Sequence, residues 1–468
     1  MAGSRDLDVI SVLILLGTFL ALGVVFVKPK WGSFLIWMVL FTYPHNWWYR
    51  HAFLPLNIGV DDVFCILLFV LVAIRRNLLG GIPIRFGYAF WIITAFLGVG
   101  SFSILSGALD APAFERVHYL KDILKLCVYW GLFYAILHSI DDLRDVRRQF
   151  TLFAFAAVAG AVIVTLHGLF PQRMQAWSNP LLLEIETITR RATGAFLNAN
   201  NAACVLVCSL AMVVTAIKLQ QSYGSKLLLY SFCGVLLVGI LMTQSRSGLL
   251  TLMGMLTLMA LIGRNKRIAW MILLAGVVVG TLFVGMRQAV QRRVATVYDR
   301  GAGAWGKNVT GRFDTWQSYF ETATPKIYLL GQGHRAGIVR NGSETHSAYI
   351  ATLTVYGIGG VIWAVALILG FVRKLIQREE VEDPLVQSVK AGCLWALVAW
   401  CVYALSADAL SSQYPRALLF YLVVLIDRTT AIAKEESQRL EEESEFLEEE
   451  LEEGTRDERG VMYEPVVY

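Results

Sequence analysis

Charge is scarce in this sequence. Only 16% of its 468 residues are Asp, Glu, Lys or Arg, against roughly 25% in an average soluble domain, and 56% are hydrophobic. That balance excludes a soluble globule. Paired cysteines are missing too: Cys65, Cys127, Cys204, Cys208, Cys233, Cys393 and Cys401 form no CxxC pair and have no histidine at ligand spacing. They read as packing residues, which excludes a disulfide framework and a zinc site. The first apolar block has no small-residue cleavage site behind it, so no removed signal peptide is expected. Alternation of polar and apolar residues is absent, which excludes a transmembrane barrel.

What the sequence has is apolar residues in blocks of about twenty, the length that crosses roughly 30 Å of hydrocarbon as a helix. Candidate spans are 9–27, 31–43, 58–74, 87–107, 122–140, 149–170, 196–217, 226–243, 247–263, 268–285, 346–372, 389–408 and 414–427. The expected fold is an all-α polytopic membrane protein with about 12–13 transmembrane helices and one long extracytoplasmic loop, 286–345. Residues 1–189 would form N-terminal helices, 190–428 a core that includes this loop, and 429–468 an acidic cytoplasmic tail. The tail 434–468 holds 14 acids and 4 bases, so it carries −10 while the rest of the chain carries +15. It reads as a solvated, frayed helix or a short coiled coil.

Five basic clusters fall in alternate connections: Arg75, Arg76 and Arg85; Arg144, Arg147 and Arg148; Lys218 and Lys226; Arg264, Lys266 and Arg267; Arg373, Lys374 and Arg378. This is the pattern of a single cytoplasmic face. The remaining connections then face outward, including the loop 286–345 with its nine bases and four acids. Such an excess outside the membrane suits either a solvated basic surface or an anionic ligand.

Three outward segments can carry chemistry. RRATGAFLNANN at 190–201 puts Arg191 ahead of a helix start bearing Asn198 and Asn200, which offers amide donors to an anion or simply caps the helix. TQSRSGLL at 243–250 confines Arg246 to a turn that hardly leaves the membrane, so the side chain should face a cavity and meet an anion or a carbonyl. GRFDTW at 311–316, LLGQGHRAG at 329–337 and SETHSAYIATLTVYGIGG at 343–360 close the long loop. In the last, His346 stands at the mouth of a span with Glu344 two residues before it and Tyr349 one turn after it. A water-facing histidine can take a proton near neutral pH, although a structural histidine fits the same position.

Taken in order, RATGAFLNANNAA, SRSGLLTL, the GR of GRFDTW, the GQG of LLGQGHR and HSAYIATLTVYGIGG resemble the O-antigen ligase and polymerase (WaaL/Wzy) superfamily. The stretch YPHNWWY resembles the O-glycosylation ligases within it. The resemblance covers roughly residues 190–370 and departs from the family at Ala199, where Asn-Pro-Asn has proline, and at Ser347, where asparagine is common. It implies transfer of a glycan from an undecaprenyl-diphosphate carrier to a hydroxyl of a glycan, lipid A core or protein acceptor, outside the bacterial inner membrane. It further implies that Arg191, Arg246 and Arg312 bind the diphosphate, with Asn198, Asn200 and Tyr349 beside them, and that His346, oriented by Glu344, takes the acceptor proton.

Physical chemistry agrees with this reading. A sugar diphosphate already has a good leaving group, so charge stabilisation by arginine forks matters more than a general acid. No metal or other cofactor is expected, and nucleic acid is not an expected partner. Two rivals remain: a metal-dependent oligosaccharyltransferase using Asp61, Asp62 or Asp110, and a transporter of polysaccharide or lipid, which should carry charges near mid-membrane.

Overall fold

The structure, a computed structural model, describes residues 27–43, 60–81, 83–112, 116–170, 191–196, 198–262, 304–341, 344–377 and 383–455, with isolated positions between them. Among the described residues every regular element is helical. In chain order these are α1 (Pro29–Thr42), α2 (Val60–Val72), α3 (Tyr88–Leu109), α4 (Arg116–Ser139), α5 (Leu143–Leu169), α6 (Ala199–Ala216), α7 (Tyr223–Met242) and α8 (Arg246–Ile262). They are followed by α9 (Ala304–Glu321), α10 (Pro325–Leu330), α11 (His334–Asn341), α12 (Ala348–Thr354), α13 (Gly357–Ile376), α14 (Pro384–Ala404) and α15 (Gln413–Thr455).

Six of these, α3, α5, α6, α7, α13 and α14, are long and apolar enough to cross a membrane, and α8 is a shorter apolar helix. The chain is an all-α, multi-pass membrane protein. Helix α6 is its centre, with 89% of its apolar window buried; the small residues of ANNAACVLVCSLAMVVTA let α14 and α7 pack closely against it. Helix α13 is the opposite case, only 22% buried. Its Ile362 and Leu369 face outward, as lipid-facing residues do. Cys204, Cys208 and Cys393 pack in the interior, whereas Cys127 is exposed on α4.

Three expectations need correction. The long loop is folded over its second half into α9, α10 and α11. The span expected at 346–372 is broken: α12 ends at Thr354, residues 355–356 form a turn, and Gly357 starts α13 with φ +68°. Gly331 approaches this break so closely that a Cβ at either glycine would clash with the other segment's backbone, while Gln332 and Gly333 both donate backbone N–H groups to Val355 O. The tail is no separate frayed element, since α15 runs unbroken for 43 residues from bundle to Thr455. The segments expected at 9–27 and 268–285 lie largely outside the described residues.

Members of three of the basic clusters gather at one end of the bundle. Lys30, Arg76 and Arg85 converge on Asp141 at 3.0, 2.6 and 2.7 Å, and Asp145 pairs with Lys30 and, at 3.3 Å, with Arg148. Lys374 pairs with Asp427 at 2.9 Å, and Arg428 donates to Ile140 O. Three clusters separated by up to three hundred residues thus share one face, as the positive-inside pattern requires.

Candidate functional site

At the opposite end, Asn198 caps α6 by accepting from the backbone N–H of Asn200 at 2.8 Å. The cap fixes Asn200, whose Oδ1 takes a 2.8 Å hydrogen bond from Arg191 and a 2.8 Å hydrogen bond from Ser245. Ser245 Oγ in turn accepts from Gly248 N at 3.0 Å, the usual bond of a residue ahead of a helix start. Arg246, the first residue of α8, is exposed next to it. One amide oxygen therefore joins Arg191 to Ser245, the residue before Arg246.

His346 sits just ahead of α12, half-buried between buried Thr345 and Ser347. Its φ is +49°, and Gln244 in the TQSRSG turn has the same value; they are the only non-glycine residues with positive φ among those described. Both mark segments held in a sparsely populated conformation. Arg312 is half-buried on α9, one turn before Trp316, whose indole donates to Thr345 O at 2.7 Å. That bond ties the arginine's helix to the residue before His346. Glu344 is exposed, and no hydrogen bond joins it to His346 among the described residues. Tyr349 donates to Cys401 O at 3.1 Å, which anchors α12 to α14.

The loop 405–412 between α14 and α15 links these groups, and nothing in the sequence reading had singled it out. Asp408 is its centre: the side chain is 1% exposed, accepts from Thr345 Oγ1 at 3.2 Å and from Ser411 N at 3.2 Å, and lies 3.3 Å from His334 Nδ1. Burial disfavours the His334 imidazolium, but the hydrogen bond and charge of Asp408 outweigh it and raise the His334 pKa above its ordinary 6.5. For Asp408, burial acts upward and His334 downward, with the net below the ordinary carboxylate value. On the loop's other side, Tyr403 donates to Asn201 Oδ1 at 3.3 Å and Tyr414 to Ala195 O at 2.8 Å, so the Arg191 segment is docked on the same element. Asp408 had one signal available, a lone carboxylate between two apolar blocks, which is costly unless partnered.

Residues 231–365 match the family model described as O-antigen ligase. The similarity runs from the middle of α7 into α13 and takes in Arg246, Arg312, His334, Glu344, His346 and Tyr349; Arg191, Asn200 and Asp408 lie outside it. No curated protein matches the chain. The match supports the O-antigen ligase and polymerase superfamily, and with it ligase or polymerase chemistry on lipid-linked glycan in general.

The three carboxylates of the rival metal reading each have another partner. Asp61 accepts from Gln413 at 3.0 Å, Asp62 faces Lys125 at 3.6 Å, and Asp110 holds Lys326 at 2.9 Å. Asp61 and Asp62 are buried in the first turn of α2, where they secure α4 and α15 to it.

Proposed function

We propose that this protein transfers a glycan from undecaprenyl diphosphate to an acceptor hydroxyl, on the outer side of the bacterial inner membrane. Arg191, Arg246 and Arg312 hold the diphosphate. His346 takes the hydroxyl proton as the acceptor oxygen bonds to the anomeric carbon; the bond from that carbon to the diphosphate breaks, configuration inverts, and the growing charge on the leaving diphosphate falls to the arginines.

The observation that carries this reading is the Arg191–Asn200–Ser245 link beside Arg246, at the end of the bundle opposite the basic clusters, in a chain whose residues 231–365 match O-antigen ligase. Two arginines held beside each other at the outer end of the bundle, one half-buried and one exposed, suit an anionic ligand. Asn198, Asn200 and Tyr349 then act on the donor site from its edges, and Glu344 remains at the exposed approach to His346.

The test is reconstitution of the purified protein with a lipid-linked oligosaccharide and candidate acceptors, following glycan transfer and release of undecaprenyl diphosphate. Turnover that survives His346→Ala, or that collapses with a chelator, would overturn the mechanism. The glycan profile of a deletion strain separates the two possible roles: uncapped lipid acceptor marks a ligase, and single repeat units mark a polymerase.

A further inference from the structure

A cavity of about 440 Å³ opens between α3, α4, α11 and the start of α15, on the side of the loop 405–412 that carries His334. It falls within the roughly 300–1,000 Å³ range of small-molecule sites. Its lining combines Lys125, Tyr129, His334, Arg335, Tyr356 and Arg416. Three of its four basic side chains have a carboxylate: Lys125 has Asp62 at 3.6 Å, Arg335 has Asp122 at 3.3 Å, and His334 has Asp408 at 3.3 Å.

Arg416 is different. It is only 9% exposed, and among the described residues no carboxylate lies within ion-pair distance of it. Its contacts are a 3.1 Å hydrogen bond to Leu410 O, a hydrogen bond to the Tyr356 side chain and a position 5.5 Å above the Tyr129 ring. The Nε is buried with no hydrogen-bond partner. A buried guanidinium without a counter-charge is strongly unfavourable, so a site that retains one is suited to an anion arriving from outside. Its place in the first turn of α15 adds the positive end of a helix dipole to the same spot.

We propose that this cavity is the acceptor subsite and takes a saccharide bearing an acidic substituent. The guanidinium fork meets the acid group, while Tyr129 and Tyr356 present an apolar face with a polar tip. The location fits a two-substrate reaction: Arg191 and Arg246, assigned to the donor, lie on the Asn200–Ser245 side of the loop 405–412, and the cavity on the His334 side, with Asp408 and Thr345 between them. The acceptor assignment rests on the glycosyl-transfer reading; the acidic-saccharide site does not.

The experiment is equilibrium binding to the purified full chain of three probes: a glucuronic acid oligosaccharide, a phosphorylated glucose oligosaccharide and the neutral glucose oligosaccharide. Wild type should prefer at least one acidic probe over the neutral one by roughly tenfold or more, as expected for hydrogen bonds to a charged group. The carboxylate and phosphate arms identify which acid the fork takes. Arg416→Gln should abolish that preference and Arg416→Lys should keep part of it, each with undecaprenyl diphosphate binding at the wild-type level as proof of a folded donor site. Equal binding of all three probes by wild type, or a preference that survives in Arg416→Gln, would overturn the proposal. So would loss of undecaprenyl diphosphate affinity in Arg416→Gln with the acidic preference intact. If the preference depends on Arg416 but wild type shows no turnover with any acceptor, the anion site stands and the glycosyl-transfer reading fails. With turnover in hand, Arg416→Gln should raise the KM for acceptor alone.

Discussion

Arg191 donates to Asn200 Oδ1 over 2.8 Å, tying the loop ahead of α6 to the first turn of the helix itself. Because Ser245 shares that oxygen, Asn200→Ala frees two segments together. Hydrogen bonds to charged groups contribute about 1.5–3 kcal/mol, so affinity for undecaprenyl diphosphate is expected to fall roughly ten- to a hundredfold. Unchanged affinity in a folded variant would detach Arg191 from the donor site.

The left-handed backbone of His346 gives a second expectation, because it separates shape from chemistry. At φ +49° alanine is strained by about 1 kcal/mol relative to glycine. If His346 only shapes the turn, His346→Gly retains turnover better than His346→Ala. A positioned base contributes about 10² to 10⁴ in rate, so both variants should be equally inactive while still binding donor. Recovery of turnover in the glycine variant would remove His346 from the chemistry.

The His334–Asp408 pair predicts a pH dependence of stability. The folded His334 pKa is raised, so its contribution is full below 6.5 and is lost as pH rises through the raised value. The folded Asp408 pKa is lowered, so its contribution is present above 3.8 and is lost only as pH falls through the lowered value. Asp408→Asn should therefore lower the unfolding midpoint most between these limits, with the gap to wild type narrowing as pH climbs past the histidine range. A gap that widens with rising pH would show that the pair does not stabilise the loop.

Orientation can be checked by labelling. Glu344→Cys, at an exposed site beside His346, should react with an impermeant maleimide once the outer membrane is made permeable. Ser444→Cys, exposed on the tail helix, should react only after the inner membrane is opened. Labelling of both in closed cells would invert or dissolve the assigned topology.

Most helices were legible because lipid forces long apolar runs to be helical: the blocks expected at 87–107, 226–243 and 389–408 became α3, α7 and α14 within a few residues. The break after Thr354 was not, because VYGIGG is as apolar as an unbroken span. What interrupts it is the approach of Gly331, more than twenty residues upstream. Arg191, Asn198 and Asn200 were visible as polar residues crowded against an apolar block. Asp408 showed only as a lone carboxylate between apolar blocks and Arg416 not at all, since each gains meaning only when α11, α12 and α15 bring His334, Thr345 and the cavity to it.

Helix α15 has 43 residues without a break, about 65 Å at 1.5 Å per residue, or roughly twice the hydrocarbon thickness. Arg416 is at one end of this rod and the acidic tail at the other, with no joint between them. The stretch 417–433 between them is almost wholly buried, so one continuous helix carries the cavity's guanidinium, a packed middle and a solvated acidic end.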